Sequence, residues 1–401
     1  MNTFILDLQL FAVQVTTQAS LSDEMKTFYD KTLIDEAGPN LIHHQFGQVR
    51  NIPANGGKKI EFRKFAPLNK ALTPLTEGVT PAGNSLSVSK IEAEVSQYGD
   101  FITQSDVLEM TAIDNTIVEA TKLLGRQAGL TLDTVDRNVM QSGTNVSYCN
   151  AGTKEVRLRA DLTSESRMSV NMVNKIVAKL RGQNTPTING KYVCIIHPYV
   201  AYDLMEDERW IDANKYSNAT KLFEGEVGEI GGMRFVQTSE ALVLGDKKVG
   251  FKINNGSGYS GAITTVAFDG VTVTTDELKG QAIIINGVGA KITGNTTTSI
   301  SFESTDFGAI SDNTDFRVAA SKGGSVFCSL ALGDGAYGVT SIEGGNLQTM
   351  VKQKGSAGTA DPLDQRSSVG WKAMATAELL IPNYIVRIES CSPDFANTAS
   401  N

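Results

Sequence analysis

The longest regular pattern in the chain is an apolar stripe at spacings of three and four. Ile117, Ala120, Leu124, Ala128, Leu132, Val135 and Val139 predict one helix from about Asp114 to Gln141. Thr116 with Glu119 has the spacing of a capping box, and Asp114 is the alternative start. At about 28 residues the helix would run roughly 40 Å, far beyond the usual 11–12 residues, so it reads as a strut laid against a sheet. A second helix carries Met172, Val173, Ile176, Val177 and Leu180 and ends at Gly182. A third, near the start, has Ser22 as its cap, Asp23 and Glu24 in its first turn, and Gly38-Pro39 as its stop. Met25, Phe28, Tyr29, Leu33, Ile34 and Ala37 form its apolar face.

Period-two patterns predict the strands. Lys58 to Phe65 alternates, 67–81 is polar and turn-rich, and the chain returns through 86–95, which makes a long hairpin. Leu86 and Val88 share one phase while Ile91, Ala93 and Val95 share the other, and such a slip implies a bulge or bend. The outgoing strand is basic (Lys58, Lys59, Arg63, Lys64) and the return strand carries Glu92 and Glu94. Three readings stay open: pairing across the hairpin, contact with acidic groups on another subunit, and contact with DNA.

Tyr192–Ile196 reads as a strand leading through His197-Pro198 into a short helix at 199–206, with a second strand at Met233–Val236. This alternation predicts a compact mixed subdomain. From about Leu242 to Gly323 helical periodicity is lost. Short β-prone runs at 249–253, 263–268, 271–274, 282–285 and 298–302 predict a small antiparallel sandwich inserted in the host domain. Val326–Leu330 and Tyr384–Ile388 read as strands that return to the earlier core.

Composition narrows the function classes. A length of 401 residues implies two to three domains at roughly 150 residues each. Lys+Arg of 36 against Asp+Glu of 44 gives a net charge of −8 with only 20% charged residues, which excludes both a basic phosphate gripper and a disordered polyelectrolyte. The apolar strip from Phe4 to Val13 lacks a basic n-region and is broken by Asp7 and Gln9, so it is not a secretion signal. It either packs on its own domain or reaches another subunit. No run approaches the eighteen or so apolar residues of a membrane span, and the chain reads as a cytosolic product without membrane contact.

No catalytic constellation emerges, so the reading is of a chain that is not an enzyme. Cys149, Cys194, Cys328 and Cys391 form no ligand pair and read as reduced, buried small side chains. His43 and His44 are adjacent, so on a helix they would diverge and could not share a metal. His197 before Pro198 reads as a structural turn residue. The glycines of 225–232 lack phosphate-loop spacing, 354–359 lacks the ending of a Walker loop, and Asp312–Asp315 is too short for a calcium loop. No cofactor and no metal are expected.

A resemblance enters through local wording. Leu8-Gln9-Leu10-Phe11-Ala12 at the start, residues 72–81 (LTPLTEGVTP), 223–235 (FEGEVGEIGGMRF), 336–339 (AYGV), 355–363 (GSAGTADPL) and Gly370-Trp371-Lys372 occur in one order. Together they resemble tailed-phage major capsid proteins with the Hong Kong 97 fold, in the branch typified by coliphage N-four. The resemblance implies an α+β fold with a β-sandwich-like insertion. Residues 1–57 would be an N-terminal arm, 58–100 an extended loop, and 101–149 a peripheral domain with the spine helix. Residues 150–240 would form an axial domain, 241–323 the inserted β-rich domain, and 324–401 the C-terminal strands completing the core.

The implied function is self-assembly, as hexamers and pentamers, into an icosahedral virion shell around double-stranded DNA held without sequence-specific binding. Assembly would occur in the bacterial host cytoplasm. Expected inter-subunit contacts are Phe4, Leu8, Leu10 and Phe11 of the arm, and Lys58, Lys59, Arg63 and Lys64 of the outgoing strand. Leu72, Leu75 and Glu77 of the tip, with Glu92 and Glu94 of the return strand, complete the set. Expected partners are further copies of the chain, a portal and a separate scaffolding protein. The insert at 241–323, read as a departure from a more compact family pattern, would stabilise capsomer contacts, bind a host-surface ligand, or meet a decoration protein. Two other readings remain: an encapsulin-type nanocompartment shell, and a β-rich phage adhesin or tail component.

Overall fold

A computed structural model of the chain describes residues 41–53, 56–65, 85–111, 116–215, 226–246, 248–341, 347–354 and 363–401, with single residues and short pieces at 31–37 and 68–83. The expectations for Phe4, Leu8, Leu10, Phe11, Leu75 and Asp114 lie outside the described residues, as do most of the arm and much of the hairpin tip. The chain forms two compact units. One comprises Met1–Asn40, Gln97–Leu130 and Gly344–Met374; the other comprises Leu41–Ser96, Thr131–Glu343 and Ala375–Asn401.

In the first unit, Ser96–Ser105 and Gln348–Lys352 both pair with the long strand Arg366–Leu379. Two glycines permit that pairing. A Cβ on Gly99 would lie 2.6 Å from the Trp371 carbonyl oxygen, and one on Gly370 would lie 2.7 Å from the Phe101 side chain. The helix Thr116–Gln141, spine of the sequence reading, contributes its first half here and buries Ala120, Leu124 and Ala128 as the stripe predicts. Its Gly125 lets Leu33 approach, since a Cβ there would lie 2.8 Å from the Leu33 carbonyl oxygen. The Thr116 hydroxyl donates to Gln104 at 3.1 Å.

The stripe reading fails in the helix's second half, which belongs to the second unit. Leu132, Val135 and Val139 are only half-buried, whereas Asp133, Asp136, Arg137 and Gln141 are buried beside Met140. The inward face is polar there because polar partners wait for it, as described below.

A seven-stranded mixed sheet organises the second unit, in the order Val146–Tyr148, Ile385–Ser390, Val326–Leu332, Tyr192–Ile196, Met233–Gln237, Glu226–Ile230, with Val243–Leu244 also paired to Val326–Leu332. The C-terminal strands thus return to the earlier core, as the sequence implies. Helix Val170–Gly182 covers the sheet, capped by Ser169 and burying Met172, Val173, Ile176, Val177 and Leu180. His197 caps helix Pro198–Met205, its Nδ1 accepting from the Tyr199 N–H at 3.2 Å, so the turn role holds. Helix Glu208–Lys215 was not anticipated. Gly231 and Gly232, both at positive φ, make the two-residue turn between Glu226–Ile230 and Met233–Gln237.

The insert is a closed barrel, not a sandwich. Lys248–Ile253, Ala262–Asp269, Ser299–Asp306, Val288–Asn295, Ala282–Ile285 and Asp315–Ala319 pair in that order, antiparallel throughout, and the last pairs with the first. Register shifts at Lys248/Phe251, Ile263/Thr265 and Ile292/Gly294 give the bends that closure needs. Two strands missing from the sequence reading, Val288–Asn295 and Asp315–Ala319, supply the closure. The interior holds its own core, including Phe251, Phe268, Phe302, Phe316 and Ile283.

The hairpin also corrects an expectation. Lys59–Phe65 pairs with Val88–Glu94 in unbroken register, from Lys59 opposite Glu94 to Phe65 opposite Val88. The described ladder contains no bulge. The phase change arises because Leu86 and Val88 are exposed, while Ala93 and Val95 are buried and Ile91 is half-buried.

Candidate functional site

The described hairpin has one apolar and one charged face. Ile60, Phe62, Ile91 and Ala93 pack with Leu380 and Ile381, and Arg50 stands over the Phe62 ring at 5.6 Å. Lys59, Glu61 and Arg63 share the other face with Glu94, Glu92 and Lys90.

Cross-strand pairing explains only part of that charge. Lys59 Nζ lies 3.8 Å from Glu94, both side chains well exposed. Glu61 stands opposite Glu92, and Arg63 opposite Lys90, so two of the three rows set like charges together. The repulsion is relieved by Glu61, which takes Lys90 diagonally across the strands at 3.1 Å and Arg63, two residues along its own strand, at 3.9 Å. Glu92 forms no ion pair among the described residues.

Other expected contacts sit apart from this face. Lys58 accepts the Val95 N–H at its carbonyl oxygen, and Lys64 lies opposite Ser89 in the ladder. Leu72 is 82% exposed and Glu77 is exposed in a turn. Leu68 and Leu86 are exposed as well. In the first unit, Phe101, Val107 and Leu123 likewise face outward. Both units therefore present apolar side chains to solvent, an arrangement common where another chain binds.

A buried clamp went unread in the sequence. His43 and His44 lie in a turn, not on a helix. His43 Nδ1 is 2.7 Å from Asp133 Oδ2, its backbone N–H donates to Asp133 Oδ1 at 2.7 Å, and its carbonyl oxygen accepts the Tyr337 hydroxyl. His44 Nδ1 is 2.8 Å from Asp136 Oδ2. The Asp136 hydrogen bond holds the His44 pKa above its ordinary value against the opposing effect of burial. Burial pushes the Tyr337 hydroxyl well up. Arg137, on the same helix face, donates to the Glu240 carbonyl oxygen at 2.8 Å. Asp133 and Asp136, three apart on a helix, were the signal; their histidine partners lie about 90 positions earlier.

A second charged cluster lies in the sheet. Arg159 grips the fully buried Glu389 with two bonds of 2.7 and 2.6 Å, and Arg387 Nε lies 3.0 Å from the same carboxylate. The bidentate bond to Glu389 raises the Arg159 pKa. These groups are paired with one another. The four cysteines are buried, and desolvation pushes the Cys328 and Cys391 thiols up to about 12. A cavity of about 360 Å³ lies beside the start of helix Val170–Gly182, lined by Asn150, Glu165, Arg167 and Lys175 among others. Among the described residues, no group of three or more His, Cys, Asp or Glu side chains could hold a metal ion. No described helix is long and apolar enough to cross a membrane.

Comparison with known proteins adds the family context. Residues 120–313 match the family model described as phage capsid protein. That stretch begins in the spine helix and runs through most of the barrel, so the family match does not stop at the insert. No curated protein matches the sequence. Among solved structures, the chain is similar to the capsid of cyanophage P-SCSP1u, with 14% identity over 88% of each chain and a TM-score of 0.53. It is also similar to the capsid of Ralstonia phage GP4, with 12% identity over 86% of this chain and 87% of that one and a TM-score of 0.56. For the cyanophage Pam1 capsid the identity is 10%, over 84% of this chain and 86% of that one, with a TM-score of 0.50. The chain is therefore a mixed α/β protein with the fold of phage capsid proteins of the Hong Kong 97 type, and its middle carries a match to the phage capsid protein family.

Proposed function

We propose that this chain is the major capsid protein of a tailed bacteriophage, a structural protein rather than an enzyme. Copies assemble as hexamers and pentamers into the icosahedral shell that encloses the double-stranded DNA genome. One observation carries the reading: likeness to phage capsids extends over more than four-fifths of the chain, and a phage capsid family match runs through its centre.

In this reading 1–57 is the arm, 58–100 the extended loop, 101–149 the peripheral domain with its spine, 150–240 the axial domain, and 324–401 the strands that complete the core. Its local wording resembles that of the coliphage N-four-like branch. The hairpin supports the assignment physically. It buries one narrow apolar face and leaves Leu68, Leu72 and Leu86 in water, so a neighbouring copy supplies the burial it lacks. The charged face, with Lys59, Arg63, Glu92 and Glu94, meets that neighbour, as do Lys58, Lys64 and Glu77.

The net charge of −8 suits a container that holds DNA without gripping it. A portal and a separate scaffolding protein serve assembly in the host cytoplasm. The barrel at 241–323 stabilises contacts between capsomers; binding a host-surface ligand and meeting a decoration protein are the alternative roles. The number of copies per packaged genome tests the reading: hundreds fit a shell, and a handful contradict it.

A further inference from the structure

The barrel is a closed unit with no free edge, so strand pairing cannot fix it to the host sheet. Two linkers join it to the host, described at Leu244–Asp246 on the way in and at Ala319–Val326 on the way out. Both run beside residues 396–401.

The contacts are dense. The Asn401 side chain accepts the Val243 N–H at 2.9 Å and donates to the Ser239 and Ala241 carbonyl oxygens at 3.1 and 3.0 Å. Ser400 Oγ accepts the Gly245 N–H at 2.9 Å. On the outgoing linker, Ser325 gives its N–H to the Ala396 carbonyl oxygen at 2.9 Å and its hydroxyl to that of Thr398 at 2.6 Å. Arg317, in the barrel wall, donates to the Ala396 carbonyl oxygen at 3.1 Å. Gly245 and Gly324 make room, since a Cβ on either would lie 2.4 Å from a carbonyl oxygen of this segment.

The segment itself buries little. Phe395 stacks on Tyr199 at 3.8 Å and anchors its start, but 396–401 are small, polar and exposed or half-exposed. Many hydrogen bonds with little apolar burial describe an element that opens locally before the core does. We propose that residues 396–401 are a releasable strap that holds both linkers of the barrel to the host sheet. Attached, it fixes the barrel in one setting; released, it frees the ingoing linker at Gly245, while the outgoing one is still held by the Lys322 and Gly323 N–H groups on the Ala160 and Leu162 carbonyl oxygens and by Lys322 on Asp161. This inference concerns the chain alone and does not depend on the shell reading.

Hydrogen–deuterium exchange on the purified full chain tests it, with a deletion of 396–401 and a Ser400→Ala/Asn401→Ala double variant alongside. Exchange in 241–246 and 320–325 is expected to quicken at least tenfold in the deletion and severalfold in the double variant. Strands Ala282–Ile285 and Asp315–Ala319 and helix Val170–Gly182 are expected to keep the parental rates. Unchanged linker exchange in the double variant would overturn the proposal. So would acceleration spread evenly over barrel, helix and linkers, which would make the segment part of the core.

Discussion

His43 is fastened to Asp133 twice, by its ring Nδ1 at 2.7 Å and by its main-chain N–H at 2.7 Å, with both side chains fully buried. Removing one partner leaves the other without its ion or hydrogen bond in a dry site. His43→Ala is expected to cost about 3–5 kcal/mol. Denaturant unfolding followed by tryptophan fluorescence measures this, and a loss below about 1 kcal/mol would contradict the clamp.

The neighbouring pair makes the chain's stability depend on pH. His44 has a raised pKa in the folded chain, chiefly from its bond to Asp136, so the folded state holds this proton more tightly than the unfolded one. The stabilisation is fully present below about 6.5, the ordinary histidine value, and is lost as pH rises through the folded pKa. His44→Gln is therefore expected to destabilise more at pH 5.5 than at pH 8.5, as midpoints of thermal unfolding at the two pH values would register. Equal losses would count against the pair.

Asp203 has a related dependence for a different reason. Burial raises its pKa to about 6, with Ser392 donating to it at 3.1 Å as an opposing influence. Between about 4 and 6 the folded state binds a proton that the unfolded state has released, so stability falls as pH rises through that window. Asp203→Asn is expected to stabilise by about 1–3 kcal/mol at pH 7.5 and to have little effect at pH 4. His197, on the same helix, works the other way. Burial lowers its pKa to about 4, so its contribution is lost as pH falls below 6.5.

The hairpin charges separate folding from assembly. Lys59 and Glu94 are exposed and 3.8 Å apart, so Glu94→Ala is expected to change the stability of the isolated chain by no more than about 1 kcal/mol. If Lys59, Arg63, Glu92 and Glu94 meet a neighbouring copy, Glu92→Lys and Arg63→Glu reduce the yield of shells at least tenfold while the soluble chain keeps its melting temperature. Shell yields equal to the parent's would remove these residues from the interface.

Much of the fold could be read from periodicity, because burial there is apolar and local. The helix Val170–Gly182, the strands 192–196 and 233–237, and the first half of the spine all follow their stripes. What escaped was non-local or polar. The inward face of the spine at Asp133, Asp136 and Arg137 looks like a solvent face until His43, His44 and the Glu240 carbonyl are brought to it. The barrel escaped because Val288–Asn295 carries two glycines and Asp315–Ala319 carries a half-buried arginine, Arg317, paired with Asp246, so neither announces a strand. The hairpin's charges were legible as residues, but not the like-charged rows that its register creates.

Abundance in the particle decides whether this chain builds the shell. DNA-filled particles banded from a lysate and analysed by quantitative mass spectrometry, with micrographs of the same fraction, give the copies of this chain per genome. It is expected to be the most abundant protein, at hundreds of copies per genome, in an icosahedral shell. A few copies per particle, or shells that enclose no genome, would contradict it.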